Sequence, residues 1–448
     1  MTLSPRDHGA IESLNRASVA KTLLGLRRFT TASKWVGPQN RYMIDAKKKI
    51  AAETQAGGLV RPRQLSQYIA ASCLLHCADG WSYLGKALSS ILRGDPHRAR
   101  HLAYYAELRA SMSLLATAGV GVFDKYHFVI DAPNSVAALR AQSPTHQFAW
   151  DCLEHWCDQP PSGDLFASIV RPNGCALEDW LAPLGGGKVA APQAKEWFLQ
   201  WGMDLQSPAQ DRDARNESSY RPDGIPDSWC LDAPTTLNFV RDIWRALEPS
   251  RPSRFELIDG HILRLALESI FKGRTGLSPS SDPVGFKVLA SRVVNNQGFS
   301  PDAFKQWLEF LCRDHMPDNL SVFEFSKISA GVKETSHSAI ISRAMLLLRI
   351  ASGSTAELFQ AAGFTSEAVA FWWERMGQSR GLWEGAKEAE DLLDLWADIE
   401  LLLSDLDIFQ KGHTPDAQTF FRIGSDLGQA IAGLSSCERV AVWSLTPS

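Results

Sequence analysis

The sequence predicts a mainly α-helical, multi-helix fold in two helical halves with little or no sheet. Apolar residues recur mostly at intervals of three and four, which places them on one face of a helix. Clean two-residue alternation, the pattern of a half-buried strand, is scarce. The composition, 45% hydrophobic and 21% charged over 448 residues, is that of a folded globular chain with room for large cores.

The predicted helices follow one another along the chain. The clearest periodicity lies in residues 65–92 and 101–118, where Tyr105, Met112 and Leu115 share one side of the second segment. Further helices are predicted near 145–157, 193–204, 235–247, 257–272, 301–313, 337–351, 355–362, 366–377, 382–409 and 415–434. Short strands are predicted at 128–131 and 439–445, neither with an obvious partner.

Composition divides the chain into three parts. Residues 1–63 form a basic N-terminal segment with twelve Lys and Arg against four acids. The Pro- and Ser-rich stretch at 249–253 predicts a boundary between a helical domain at 64–248 and a C-terminal helical domain at 254–448. Residues 374–410 carry ten acids against three basic residues. The opposed charges predict docking of the two ends or of a partner, with a solvated acidic helix as the alternative.

Several classes of protein are excluded. A net charge of −4 does not suit a polycation that coats nucleic acid. Eight cysteines are too sparse for a disulfide scaffold, and no run reaches the ~20 apolar residues of a membrane span, so we expect a cytoplasmic protein. The absence of Gly-x-Ser-x-Gly, His-Glu-x-x-His and a strand-linked Gly-x-Gly-x-x-Gly argues against the commonest hydrolases, proteases and dinucleotide-binding proteins.

One helical segment has a recognisable pattern. Residues 101–116 read HLAYYAELRASMSLLA, with a Tyr-Tyr-Ala followed by small residues and Leu-Leu. After it come two glycines and then Lys125 and His127, separated by one residue. This segment resembles the second helix of HEPN domains, and the helices from 65 to 92 lie where the family's first helix is expected. The resemblance covers roughly residues 60–225.

A second pattern lies farther along the same region. Arg215 and Asn216 are followed, after three residues, by Tyr220. HEPN ribonucleases carry Arg, a polar residue, three variable residues and His, so the motif is similar except that Tyr replaces His. The resemblance implies metal-independent RNA cleavage or RNA binding, deployment in bacterial toxin–antitoxin or antiviral defence systems, and a homodimer.

The chemistry implied by the resemblance needs a base and a cation. Arginine stays charged and grips phosphate oxygens in pairs, which suits Arg215. Tyr220 is a poor base because an unperturbed phenol has a pKa of about 10, although it can donate a hydrogen bond or stack on a base. His127 and His146 are the nearest substitutes for the missing histidine, and the alternative for each is a histidine satisfied by backbone.

Charged residues on the Tyr-Tyr helix leave two interpretations open. Arg109 shares a helix face with Tyr105 four residues earlier, whereas Glu107 lies well around from it. Each charge either points into a cleft or forms an ion pair across helices. The candidate catalytic residues are therefore Arg215, Asn216, Tyr220 and His127, and the candidate binding residues are Arg109, Glu107, Lys125 and His146. No metal and no cofactor is predicted.

A second functional hypothesis belongs to another class of protein. The basic start, the acidic stretch and 15 tryptophans also fit a non-catalytic helical adaptor or scaffold in a multiprotein complex. Tryptophan-rich clusters fill helix–helix cores or anchor interfaces more often than they bind bases. The sequence thus predicts RNA or a protein as partner and does not choose between them.

Overall fold

The computed structural model describes residues 3–189, 192, 195–196, 231–313, 320–326, 336–383, 393–416 and 418–447. These residues are mainly helical, which confirms the predicted fold class. The helices are α1 Pro5–Glu12, α2 Arg16–Leu24, α3 Arg27–Thr30, α4 Ala46–Gln55, α5 Pro62–Leu92, α6 Pro96–Ala118, α7 Thr145–Cys157, α8 Pro160–Ile169, α9 Leu177–Trp180, α10 Ala233–Ala246, α11 Glu256–Thr275, α12 Pro283–Asn295, α13 Pro301–Cys312, α14 Ser321–Ser326, α15 His337–Ala361, α16 Ser366–Arg380, α17 Asp394–Gly412, α18 Thr419–Asp426, α19 Gly428–Leu434 and α20 Glu438–Leu445. An antiparallel sheet of three strands in the order β1 Val120–Phe123, β2 Tyr126–Val129 and β3 Ala137–Ala138 follows α6.

Three long helices, α5, α6 and α15, form the centre of the molecule. Helix α6 is capped at its N-terminus by Asp95, whose side chain accepts from the backbone N–H of Arg98, and at its C-terminus by Gly119, whose φ of 105° favours glycine. Small residues let the helices approach closely. A Cβ added at Gly80 of α5 would lie 2.5 Å from Leu348 of α15.

The sequence boundary at 249–253 does not divide the core. Helix α15 lies beyond that boundary, yet it packs along both α5 and α6. Arg343 of α15 pairs with Glu107 of α6 at 3.2 Å, and both side chains are buried. Because burying these charges requires both helices, the N- and C-terminal halves share one hydrophobic core.

One predicted strand is wrong, and several helices were not predicted. Residues 439–445, predicted as a strand, belong to α20, and every residue of that helix is buried. Burial on all sides erases the amphipathic period, so its alternating valines did not distinguish strand from helix. Helix α12 lies where no helix was predicted. The predicted strand at 128–131 overlaps β2, whose partners are β1 and β3.

The charged ends make specific contacts within the chain. Trp35 in the basic segment packs against the rings of Phe371 and Trp372 of α16. On the acidic helix α17, Asp398 accepts from Arg439 at 2.8 Å. The contact of Trp35 in the N-terminal segment with α16 is therefore aromatic. None of the described helices is both long and apolar enough to cross a bilayer.

Candidate functional site

Helices α5 and α6 form an antiparallel hairpin with one partly exposed side. On α5 the exposed or half-buried positions recur at intervals of three and four, and on α6 they recur every four residues, so each set lies along one side of its helix. We call this surface, together with a histidine at the start of α7, the paired-tyrosine face. Its residues are Tyr68, His76, Asp79, Tyr83 and Lys86 of α5, His101, Tyr105 and Arg109 of α6, and His146 of α7.

An arginine–histidine pair joins the two helices at the centre of this face. Arg109 Nη1 donates to His76 Nδ1 at 2.8 Å, and its Nη2 lies 3.7 Å from Asp79. Burial and the neighbouring Arg109 charge lower the pKa of His76 to about 3. His76 is therefore neutral at physiological pH, with its proton on Nε2 and the Nδ1 lone pair engaged by Arg109.

Aromatic rings continue the face beside this pair. Tyr83 and Tyr105 stack with ring centroids 5.5 Å apart and an interplanar angle of 26°. His101 meets Tyr105 edge-on at 5.1 Å. The ammonium of Lys86 lies 5.0 Å from the Tyr83 centroid, within cation–π range. The face therefore offers half-buried rings interleaved with cations.

The edge of the face is completed by α7 and the β1–β2 turn. Tyr104 bonds to Nδ1 of His146 at 2.8 Å, and the two rings stack. The neighbouring Thr145 Oγ1 accepts from the backbone N–H of Asp124 at 3.0 Å. This bond brings the turn, with the exposed Lys125, to the edge beside His146. Lys47 of α4 pairs with Asp124 at 3.0 Å and adds a further cation there.

The candidate residues from the sequence fall into three groups. Arg109 and His146 lie on the paired-tyrosine face, and Lys125 lies at its edge. Glu107 lies instead in the core, where it forms an ion pair with Arg343 of another helix and does not point into a cleft. Arg215, Asn216 and Tyr220 lie outside the described residues.

His127 lies in the core rather than on the face. It is 1% exposed, its Nε2 donates to the carbonyl of Ser143 at 3.0 Å, and its ring stacks 3.5 Å from that of Phe148. Burial lowers the pKa of His127 to about 4. A side chain in this position has no direct access to a ligand on the surface.

The depressed pKa of His127 predicts a pH dependence of stability. Between pH 6.5, where an unfolded histidine titrates, and about pH 4, the unfolded chain binds a proton that the folded chain rejects. Stability is therefore fully present above pH 6.5 and falls with decreasing pH, by up to ~1.4 kcal/mol per unit for this group. We expect His127→Gln to reduce this slope, to which His76 also contributes, in urea unfolding measured at pH 7, 6 and 5. An unchanged slope would show that His127 does not cause it.

Five residues of the face, all on α5, were not predicted from the sequence: Tyr68, His76, Asp79, Tyr83 and Lys86. Their signal was available in the recurrence of polar and tyrosine positions along an otherwise apolar helix. Cys73, His76 and Cys77 have the residue types of a metal site, but their spacing on one helix does not suit a structural zinc site. In the structure both cysteines are buried, with Cys77 beside Ser352, while the histidine points to the face. Within the described ranges no cluster of three or more potential metal ligands occurs.

Comparison of the chain with protein-family models, with curated proteins and with solved structures found no match.

Proposed function

We propose that this protein is a HEPN-like RNA-binding protein and that the paired-tyrosine face is the surface that binds single-stranded RNA. The observation that carries the proposal is the Tyr83–Tyr105 stack beside Arg109 and Lys86. Aromatic rings stack on unpaired bases regardless of sequence, and neighbouring cations attract the phosphates. Base stacking and phosphate attraction thus come from side chains on two rigid helices.

The charge around the face is mixed, and this constrains the mode of binding. Lys47, Lys86, Arg109 and Lys125 supply cations, while Asp79 and Asp124 offset part of that charge. With few phosphate contacts, affinity depends less steeply on salt than for a strongly basic protein. Stacking is therefore expected to contribute much of the binding free energy.

Replacing Tyr105 by alanine tests the proposal most directly. A base stacked on an aromatic ring is worth ~1–3 kcal/mol, so Tyr105→Ala should weaken binding of a short single-stranded RNA about ten-fold. Fluorescence anisotropy with labelled RNA at several salt concentrations measures this change. In the same titrations, Arg109→Gln should reduce the slope of log affinity against log salt concentration by about 1, the value for one lost phosphate contact.

The matched controls replace an aromatic residue and an arginine that lie outside the paired-tyrosine face. Phe421 of α18 is 75% exposed, and Phe421→Ala removes an accessible aromatic ring outside the face. Arg245→Gln removes an exposed arginine of α10. Equal losses in the Tyr105 and Phe421 variants, or no RNA binding by the unaltered protein, would contradict the proposal. Melting temperatures of all variants verify that they remain folded.

Cleavage of RNA is a stronger form of the proposal. His76 is a weak base because its lone pair is engaged by Arg109 and its pKa is depressed to about 3. The support for cleavage therefore lies in the resemblance of Arg215–Tyr220, as does the support for a homodimer and for a role in bacterial defence. RNA cleavage by the purified protein that is lost in Arg215→Ala supports a nuclease. Equal cleavage activity in both proteins, or none in either, would contradict the proposal of a nuclease.

A helical adaptor is the second candidate function. Leu401 and Ile408 lie seven residues apart on one side of α17, and each is 69% exposed. An exposed apolar stripe on an acidic helix suits a protein interface. Co-purification of a stoichiometric partner, lost when both residues are replaced by serine, supports this function. A stable monomer without a partner argues against it.

A further inference from the structure

A cavity of about 510 Å³ lies beside α15. It is lined by residues of α8, of the loop before α11, of the start of α11, of α15 and of the chain near Ser444 and Pro447. Four arginines are among them, against two carboxylates. The arginines are Arg171, Arg251, Arg254 and Arg349, and the carboxylates are Asp259 and Glu357.

Arg349 forms the buried wall of this cavity. It is 3% exposed; its Nε and Nη2 donate to the Asp259 carboxylate at 2.7 and 2.6 Å, and Nη2 also donates to the carbonyl of Ile169. Its Nη1 is buried, and no described residue accepts a hydrogen bond from it. A Cβ at Gly353, which also lines the cavity, would lie 2.8 Å from this nitrogen. The glycine therefore leaves room for an unpaired donor at the cavity wall.

Arg254 and Arg251 add charge that no carboxylate of the described residues neutralises. Arg254 Nη1 donates to the carbonyls of Ser444 and Thr446 at 3.2 and 2.6 Å, and its Nε and Nη2 have no acceptor among the described residues. Arg251 is exposed, and within the described ranges it makes no hydrogen bond or ion pair. Two guanidinium groups that line the cavity therefore have no carboxylate partner in the part of the chain that the structure describes.

Both carboxylates already accept hydrogen bonds from groups of the protein. Asp259 accepts from Arg349 and also from the backbone N–H of Arg171 at 2.8 Å. Glu357 accepts from Arg16 at 3.3 Å and from Ser168 at 3.1 Å. The remaining potential in the cavity is positive, and the available donors are guanidinium N–H groups, which suit a phosphate because they bind its oxygens in pairs.

We propose that this cavity is a binding site for the phosphate group of a small phosphorylated ligand. Arg251 and Arg254 bind the phosphate oxygens, and the Nη1 of Arg349 supplies a donor from the wall. The volume is within the range of small-molecule sites. The site is separate from the paired-tyrosine face, so it does not depend on the proposed RNA binding.

Calorimetric titration of the full chain tests the site with orthophosphate, pyrophosphate, AMP and adenosine in chloride buffer. Saturable binding of the three phosphate-bearing probes, without binding of adenosine, is expected. Loss of one charge-assisted contact should weaken the affinity about ten-fold in Arg251→Gln and in Arg254→Gln. Comparison of orthophosphate with AMP shows whether free phosphate or a phosphate ester is preferred.

The controls separate this site from a general charge effect and from misfolding. Arg245→Gln removes an arginine outside the cavity and should leave phosphate affinity unchanged. Arg251→Gln removes no hydrogen bond or ion pair within the described residues, so its fold should be intact even if Arg254→Gln loosens residues 444–447. Absence of saturable phosphate binding, equal weakening by Arg245→Gln, or equal binding of adenosine and AMP would overturn the proposal. Tyr105 does not line the cavity, so Tyr105→Ala should leave phosphate affinity unchanged. A negative result for phosphate binding is therefore distinguishable from a negative result for RNA binding.

Discussion

Asp259→Ala is expected to lower the free energy of unfolding by about 3–5 kcal/mol, the typical cost of leaving a buried charge without its partner. Asp259 is 1% exposed and accepts from Nε and Nη2 of Arg349 at 2.7 and 2.6 Å. After the substitution, the carbonyl of Ile169 and the ring of Phe255, 4.7 Å from the guanidinium carbon, remain beside the buried cation. Urea unfolding followed by circular dichroism measures the loss.

The double variant Asp259→Ala with Arg349→Met is the matched control. It removes the stranded charge along with its partner, so part of the lost stability should return. Glu309→Ala provides the exposed comparison because Glu309 and Lys305 are 3.8 Å apart with most of both side chains in solvent. Exposed pairs contribute little, so this variant should change stability only slightly. A loss for Asp259→Ala as small as that for Glu309→Ala would contradict the prediction.

Gly85→Ala is expected to lower the free energy of unfolding by about 3 kcal/mol, at the upper end of the usual range for overpacked cores. A Cβ at Gly85 of α5 would lie 2.0 Å from the carbonyl oxygen of Ser435 and 3.1 Å from the backbone nitrogen of Cys437. Both atoms belong to backbone, so no rotamer change can relieve the clash. Helix α5 must therefore shift from the α19–α20 connection, and the midpoint of thermal unfolding should fall accordingly.

Gly273→Ala is the corresponding control. Gly273 lies within α11, and nothing would come within 4 Å of an added Cβ. Alanine reduces the entropy lost on folding, so this variant should gain about 0.5–1 kcal/mol. If Gly85→Ala and Gly273→Ala changed stability alike, close backbone packing at Gly85 would not be the cause.

The sequence by itself determined the helical class, the Tyr-Tyr helix and the side of it that carries Tyr105 and Arg109. These are local properties, because a helix period is set by residues three and four apart. Which helices contact one another is not such a local property. The structure shows that α6 and α15 pack against each other.

Tertiary structure alone decided the partners of the charged residues. Periodicity indicates that a side is buried but does not identify what covers it, since hydrophobic burial is non-directional. The pairs Arg109–His76, Glu107–Arg343 and Asp259–Arg349 join residues 33, 236 and 90 positions apart. The arginine-lined cavity likewise gathers side chains from distant parts of the chain, which only the packing of helices around α15 brings together.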